Sequence, residues 1–316
     1  MTTTLSKTDS SAPPTPTERK RVGQSRRKRG ENLTGWAFIG PFMVFFILFL
    51  AVPIVWGLYL SFTGQTLTGR GGGLVGFANY QEALVDLDMW RSMGNTLWFV
   101  LLSTVPLVLI ALAMAVLVNL GLPGQWLWRL AYFMPFLLAS SVVSLFWVWL
   151  FNPQLGLVNA ITGIFGAEAI PWLQDPQYAM LGIVIATVWW TVGFNFLLYL
   201  AALQNIPEQQ YEAASLDGAG RWRQFISITV PNLAPTTVLI LVLQVLASMK
   251  VFDQIYQMTE GGPGGTTRST VLYIFEVGFT GYRFGYSSAI SFIFFALIVI
   301  ISIAQFAVVS RKGSKK

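Results

Sequence analysis

The chain has 316 residues, 54% of them apolar and only 11% charged, with a mean hydropathy of +0.60. Soluble domains carry about 25% charged residues, so this one lacks the polar surface to dissolve and belongs in a membrane. It has no cysteine and no histidine, which excludes disulfides, thiol nucleophiles and the commonest general base and metal ligand. The phosphate-cradling pattern G-x-x-x-x-G-K-[ST] is absent, so nucleotide energy has to come from a partner. No catalytic residue, metal or cofactor is expected, and the chain is not expected to be an enzyme. The net charge of +6 sits mainly in the first 30 residues and at the C-terminus, a distribution that reads as membrane topology rather than nucleic-acid binding.

Residues 1–30 are rich in Ser, Thr and Pro and then strongly basic (ERKRVGQSRRKRG). Nothing there builds a core, and the segment reads as a disordered cytoplasmic tail. Its basic stretch is too long for a secretory signal peptide, and no A-x-A-like site follows. Six apolar stretches come next, near 36–60, 96–119, 131–151, 178–203, 233–255 and 287–309. Each is long enough to cross the hydrocarbon core, which takes about 20 helical residues. The charge-free part of the fifth is 233–249; its far end carries Lys250 and Asp253. Trp36, Trp56, Tyr59, Trp126, Trp128, Trp147 and Trp149 cluster at span ends, as an interfacial belt requires. The expected fold is all-α: a multi-pass membrane protein with six transmembrane helices.

Six spans put both termini on one side. With the N-terminus inside, the inner segments hold eight Lys and Arg in the tail, then Arg129, Arg221, Arg223, Arg311, Lys312, Lys315 and Lys316. The outer loops hold Arg70, Arg91, Arg268 and Arg283. Fifteen against four places both termini in the cytoplasm under the positive-inside rule.

Between spans four and five, the cytoplasmic segment YEAASLDGAGRWRQFISITVP (211–231) interrupts the apolar chain. Asn205 reads as an N-cap, with Pro207 in the first turn and Glu208 three residues after the cap. A short helix runs through Glu212, Ala213 and Ala214 and stops at Asp217 and Gly218, where glycine takes the left-handed conformation that closes a helix. A second short helix places Trp222, Phe225, Ile226 and Thr229 on one face, and Pro231 and Pro235 restart the chain into span five. Two readings fit this elbow. One is an interfacial helix pair lying on headgroups. The other is a docking knuckle, in which Ala213 and Ala214 permit close approach, Glu212 and Asp217 offer charge and Gly218 fixes the angle.

The stretch E-A-A-x-x-x-G-x₉-I-x-x-P, here Glu212, Ala213, Ala214, Gly218, Ile228 and Pro231, resembles the "EAA loop" of inner-membrane permease subunits of binding-protein-dependent ABC importers. Asp217, Gly218 and Ala219 match the D-G-A form found in sugar permeases, and Val230 stands where leucine is usual. FDQIYQMTEGGPGGTT (252–267) and YRFGYSSAIS (282–291) are similar to the end of span five, the outer loop and the start of span six in the MalF/UgpA-like half of carbohydrate importers. The resemblance runs from about residue 36 onward. It implies that the loop 205–231 seats on a cytoplasmic ABC ATPase subunit dimer, whose closure rocks the permease between inward-facing and outward-facing states. It also implies a second, homologous permease subunit, an extracytoplasmic solute-binding protein, and an oligosaccharide or polyol phosphate as cargo.

A sugar path needs hydrogen-bonding groups and aromatic faces inside the bundle. Span four offers Trp189, Trp190, Asn195 and Tyr199; span five offers Gln244, Ser248, Lys250 and Asp253. The aromatics also fit lipid-facing or packing roles. Lys250 and Asp253, three apart, fall on one helical face and suit either a path or a structural ion pair. The rival class, an ion-coupled secondary transporter, needs carboxylates within the membrane, and apart from Asp253 the spans contain none. A membrane enzyme is disfavoured by the lack of His and Cys.

Overall fold

The computed structural model describes residues 37–313, apart from 70 and 122. The expectations for the N-terminal tail, Trp36, Arg70 and the last two lysines fall outside the described residues. The chain divides into two compact units after Trp56, and the first apolar helix, α1 (Ala37–Ser61), crosses that division. Within the described residues the first unit is the stretch 37–56, which includes a π turn at Ile47–Ala51. Everything below lies in the second unit.

That unit is a helical bundle. Its long apolar helices are α3 (Leu87–Asn119), α7 (Ala179–Gln204), α9 (Arg221–Met249) and α12 (Phe284–Gly313). Shorter ones connect them: α2 (Ala78–Val85), α4 (Gln125–Leu137), α5 (Ser140–Leu150), α6 (Leu157–Ile164), α8 (Glu208–Leu216), α10 (Asp253–Met258) and α11 (Thr270–Thr280). Among the described residues, and counting α1, five helices are long and apolar enough to cross a membrane, or six if α4 and α5 count as one broken span. Span two is longer than its apolar stretch announced, because Asp86 caps the helix ten residues before the run at Thr96 begins, accepting from the N–H groups of Asp88 and Met89.

The most extensive contact is between α3 and α7. Ala111, Ala115 and Ala186 are fully buried in it. Small side chains let backbones approach in a setting where lipid removes the hydrophobic incentive to associate. Phe99, Leu107, Ile183 and Phe196 fill the remaining core.

Two expectations need correction. The third span is not one helix: α4 and α5 meet at 99°. Pro135 tightens the end of α4 into a 3-10 turn, and Leu138 and Ala139 are extended. Span five is also not restarted at Pro231. The second limb of the elbow runs without a break into α9 through a π turn at Phe225–Thr229. There the Val230 N–H donates to the Phe225 carbonyl, five residues back rather than four. Widening the turn next to a residue that has no N–H lets the helix absorb the proline.

At the end of the bundle opposite the elbow, charged groups staple the helices. The Asp86 carboxylate accepts from the Tyr273 hydroxyl at 2.6 Å and the Tyr286 hydroxyl at 2.5 Å, joining α3, α11 and α12. Arg283 makes a two-pronged pair with Glu82 at 2.6–2.7 Å, and Arg268 bridges Asp88 at 2.9 Å and Glu276 at 3.6 Å. Burial alone would raise the Asp86 carboxyl. The hydrogen bonds from both tyrosines and the two capping N–H groups outweigh it and hold the group below the ordinary carboxylate range.

Two predictions follow from this packing. A carboxyl depressed by folding stabilises fully above its unfolded value, near 3.8, and less as pH falls through the lower folded value. Thermal scans of the detergent-solubilised chain should therefore show melting falling more steeply between about pH 5 and about pH 3 in the wild type than in Asp86→Asn. At the broken span, a Cβ added to Gly193 of α7 would overlap the Tyr132 carbonyl of α4. Gly193→Ala should cost about 1–3 kcal/mol, whereas Gly94→Ala in the interior of α3, where the added carbon meets nothing within 4 Å, should gain about 0.5–1 kcal/mol. Equal melting temperatures for the two would refute the close approach.

Candidate functional site

Two regions carry the sequence-predicted site residues: the elbow, and a cleft inside the bundle.

The elbow is closed by hydrogen bonds of a Schellman type. Gly218 has φ +76°, the Ala219 N–H donates to the Ala214 carbonyl at 2.9 Å, and the Gly218 N–H to the Ser215 carbonyl at 3.0 Å. Nothing lies within 4 Å of a Cβ added at Gly218, so glycine is required there by conformation, not by space. Glu212, Ala213 and Asp217 are exposed, Ala214 and Ala219 half-buried. Leu216 and Trp222, 91% and 73% exposed, add apolar surface beside the acids. Asn205 plays a different part from the one expected: it ends α7, donating to the Ala201 carbonyl, and α8 starts after Pro207 with no side-chain cap.

Three bonds that sequence spacing did not announce tie the limbs together. Tyr211 and Thr229 share a hydroxyl pair at 2.9 Å, Asn232 donates to Gln210 at 3.0 Å, and Gln224 donates to Ser215 at 2.8 Å. Only the polar character of these residues hints at the arrangement.

The cleft, of about 340 Å³, lies between α3, α7, α9 and α10. Trp190, Gln244, Ser248, Lys250 and Asp253 line it, together with Phe99, Thr187 and Thr191. Asn195 stands behind Gln244 and donates to its side-chain oxygen at 3.2 Å. Gln244 donates to Ser248 at 3.3 Å, and Ser248 shares a 3.0 Å bond with Ser103 of α3. This buried polar chain crosses three helices. Thr187, Thr191 and Ser103 were missed in the sequence because single hydroxyls in an apolar run are commonly satisfied by their own helix, as Thr187 and Thr191 also are. Tyr199 is fully buried, bonded to Thr237, and Trp189 packs against Phe146 and Trp147; neither lines the cleft.

The cleft sits deep. Thr187 and Thr191 fall eight and twelve residues into α7, roughly 12 and 18 Å from its start. At the same level α9 ends at Met249, and residues 250–252 are non-helical before α10. Lys250 and Asp253 are therefore not on one helix and form no ion pair. Asp253 accepts instead from Ser140 at 2.9 Å, and Gln257 donates to Ser141 at 3.2 Å. Ser140 and Ser141 open α5, directly after the break in span three. Trp190 donates its indole N–H to the Leu138 carbonyl at 3.1 Å, a group the break leaves without a helical partner. Two interrupted spans thus meet at one polar cleft, the arrangement by which transporters expose backbone and polar groups to a solute.

The region 90–314 matches the family described as "Binding-protein-dependent transport system inner membrane component". The chain belongs to this family. It is a permease subunit of a binding-protein-dependent ABC transport system, a membrane component and not itself an enzyme. Among similar proteins, the sulfoquinovosyl glycerol transport system permease SmoG of Agrobacterium fabrum is 32% identical, covering 90% of this chain and 92% of its own. The trehalose/maltose transport system permease MalF of Thermococcus litoralis is 34% identical, covering 90% and 96%. The crystal structure of a bacterial ABC transporter that imports the acidic polysaccharide alginate superposes with a TM-score of 0.79 at 23% identity, covering 90% of this chain and 98% of the matched one. That likeness shows the permease fold.

A double substitution separates packing from passage in this permease. Asn195→Leu leaves the Gln244 side-chain oxygen without its donor and should lower stability; Asn195→Leu with Gln244→Leu removes both groups and should recover part of the loss, a coupling of about 0.6–1.7 kcal/mol. If the amides serve the solute, the recovered double variant should still fail in uptake. Recovery of both melting temperature and uptake would assign the amides to packing alone.

Proposed function

We propose that this permease forms half of the translocation path for a carbohydrate, an oligosaccharide or a polyol phosphate, and is driven through its elbow by a separate ATPase dimer. A second, homologous permease completes the path and an extracytoplasmic solute-binding protein delivers the cargo. Both termini lie in the cytoplasm, on the strength of the Lys and Arg asymmetry. The carbohydrate reading is supported by relatives named for trehalose/maltose and sulfoquinovosyl glycerol and by a cleft that combines an indole with amide and hydroxyl groups.

The observation that carries the reading is the cross-tied elbow. Docking requires a surface that is exposed and stiff at once. Glu212, Ala213, Asp217 and Leu216 face outward while three inter-limb hydrogen bonds and the Gly218 turn hold their backbone. A loop lying passively on headgroups needs neither the ties nor the outward acids.

Gly218→Val forces a β-branched residue into a left-handed conformation and should misalign the limbs without touching the bundle. Glu212→Lys should reverse a charge at the docking face and leave the elbow intact. Both variants should insert at normal levels, lose uptake, and co-purify poorly with the ATPase or leave its hydrolysis uncoupled. Gly218→Asn, which tolerates that conformation, should be milder, and Arg221→Ala should cost little. If Gly218→Val transports like the wild type while Arg221→Ala abolishes uptake, the elbow is an interfacial anchor.

A further inference from the structure

A second cleft, of about 330 Å³, opens at the other end of α10 and is used by nothing described so far. Its walls combine Phe151, buried, with the polar side chains of Asn152, Gln174, Gln257 and Glu260. The two clefts border opposite ends of α10: Asp253 and Gln254 line the deep one, Gln257 and Met258 this one. Gln174 lies before the first residue of α7, so this cleft is at the mouth of the bundle, while the deep cleft begins roughly 12 Å along the same helix.

Two features mark the mouth cleft as more than a surface dent. Glu260 has φ +49°, a left-handed conformation that is costly for a residue with a side chain and that clusters at functional sites. The surrounding loop holds it there: the Gly262 N–H donates to the Thr259 carbonyl at 2.8 Å, and Thr267 shares a 2.8 Å bond with Thr259 and donates to the Gly262 carbonyl at 2.7 Å. Furthermore, among the described residues the Glu260 carboxylate and the Gln174 side-chain amide have no hydrogen-bond or ion-pair partner. An exposed carboxylate on a held backbone and an exposed amide, beside the half-buried apolar side chains of Val148 and Leu173, suit a sugar ring, whose hydroxyls need acceptors and donors and whose C–H face needs apolar contact.

We infer that this cleft is an outer carbohydrate subsite, and that the permease handles linear oligosaccharides long enough to touch the mouth and the deep cleft together. This rests on the carbohydrate-permease reading and chooses within it, because a polyol phosphate is too short to reach both clefts. Gln174 and Glu260 then act on the trailing sugar residues while Gln244 and its neighbours hold the leading one.

The test uses the full-length chain, assembled with its partner subunits in lipid nanodiscs without the binding protein, on an array of maltooligosaccharides, β-glucans and oligoalginates of one to six residues. Binding should strengthen at least about tenfold over the series. Gln174→Ala combined with Glu260→Gln should return the long chains to the level of the short ones and leave the short ones unchanged. Gln244→Leu should weaken every length. A flat length profile, or no binding by any glycan, overturns the subsite. In a parallel pull-down with the binding protein added, a double variant that loses that association while its glycan length profile stays that of the wild type also overturns the subsite, and assigns the cleft to that partner. A flat profile accompanied by normal dependence of ATPase coupling on Gly218 leaves the permease reading standing, so the two failures are distinct.

Discussion

Hydrocarbon offers no hydrogen bonds, so any backbone that leaves the helix inside the bundle has to be satisfied by protein or by a water-filled cavity. This constraint organises the permease. The chain breaks span three at Leu138 and Ala139 and span five at 250–252, and both breaks are sealed at one place. Trp190 caps the freed Leu138 carbonyl, Ser140 and Asp253 join the two restarted helices, and the Lys250 N–H closes back on the Ala247 carbonyl. The cleft is what remains between these seals. Its polarity follows from the geometry, since broken helices bring amide, hydroxyl and charged groups to a depth where an unbroken span would show only apolar faces.

The rest of the bundle keeps that cleft in position. Small residues bring α3 and α7 together, and the polar chain through Asn195, Gln244, Ser248 and Ser103 fixes α9 against both. In membrane proteins such bonds are each worth only about 0.6 kcal/mol on average. Their value lies in register: sliding α9 by one residue would remove all of them at once. The Asp86 and Arg283 clusters do the same work at the far end, where they add to the packing of Met89, Met93, Tyr286 and Ile290.

The residues that repeat or punctuate were legible in the sequence. Apolar runs located the spans, Gly218 located the elbow's turn, and the polar residues at the end of span five pointed to the cleft. What stayed hidden depended on contacts between distant residues or on a helix being assumed continuous. Lys250 and Asp253 look paired only if the helix runs through them. Pro135 resembles the tolerated Pro106 of α3 until the extended Leu138 and Ala139 are known. Asn205 carries the chemistry of an N-cap, but α7 persists to Gln204 and takes it as its own end. The bonds from Tyr211 to Thr229 and from Gln210 to Asn232 join residues 18 and 22 apart, beyond the reach of helical spacing rules.

The continuity of α9 links the two regions mechanically. One 29-residue helix carries the second limb of the elbow at Arg221 and the cleft wall at Gln244 and Ser248, a rod roughly 42 Å long. A separate interfacial helix restarted at Pro231 would place a hinge between the elbow and the cleft wall. The π turn removes that hinge: it accommodates the proline without ending the helix, so the elbow and the cleft wall are joined by backbone hydrogen bonds rather than by a loop. The rod ends at Met249, where the non-helical residues 250–252 and the bonds from α10 to α5 follow. The elbow is cross-tied, the rod is continuous, and the interruptions of helix are gathered where the polar cleft lies.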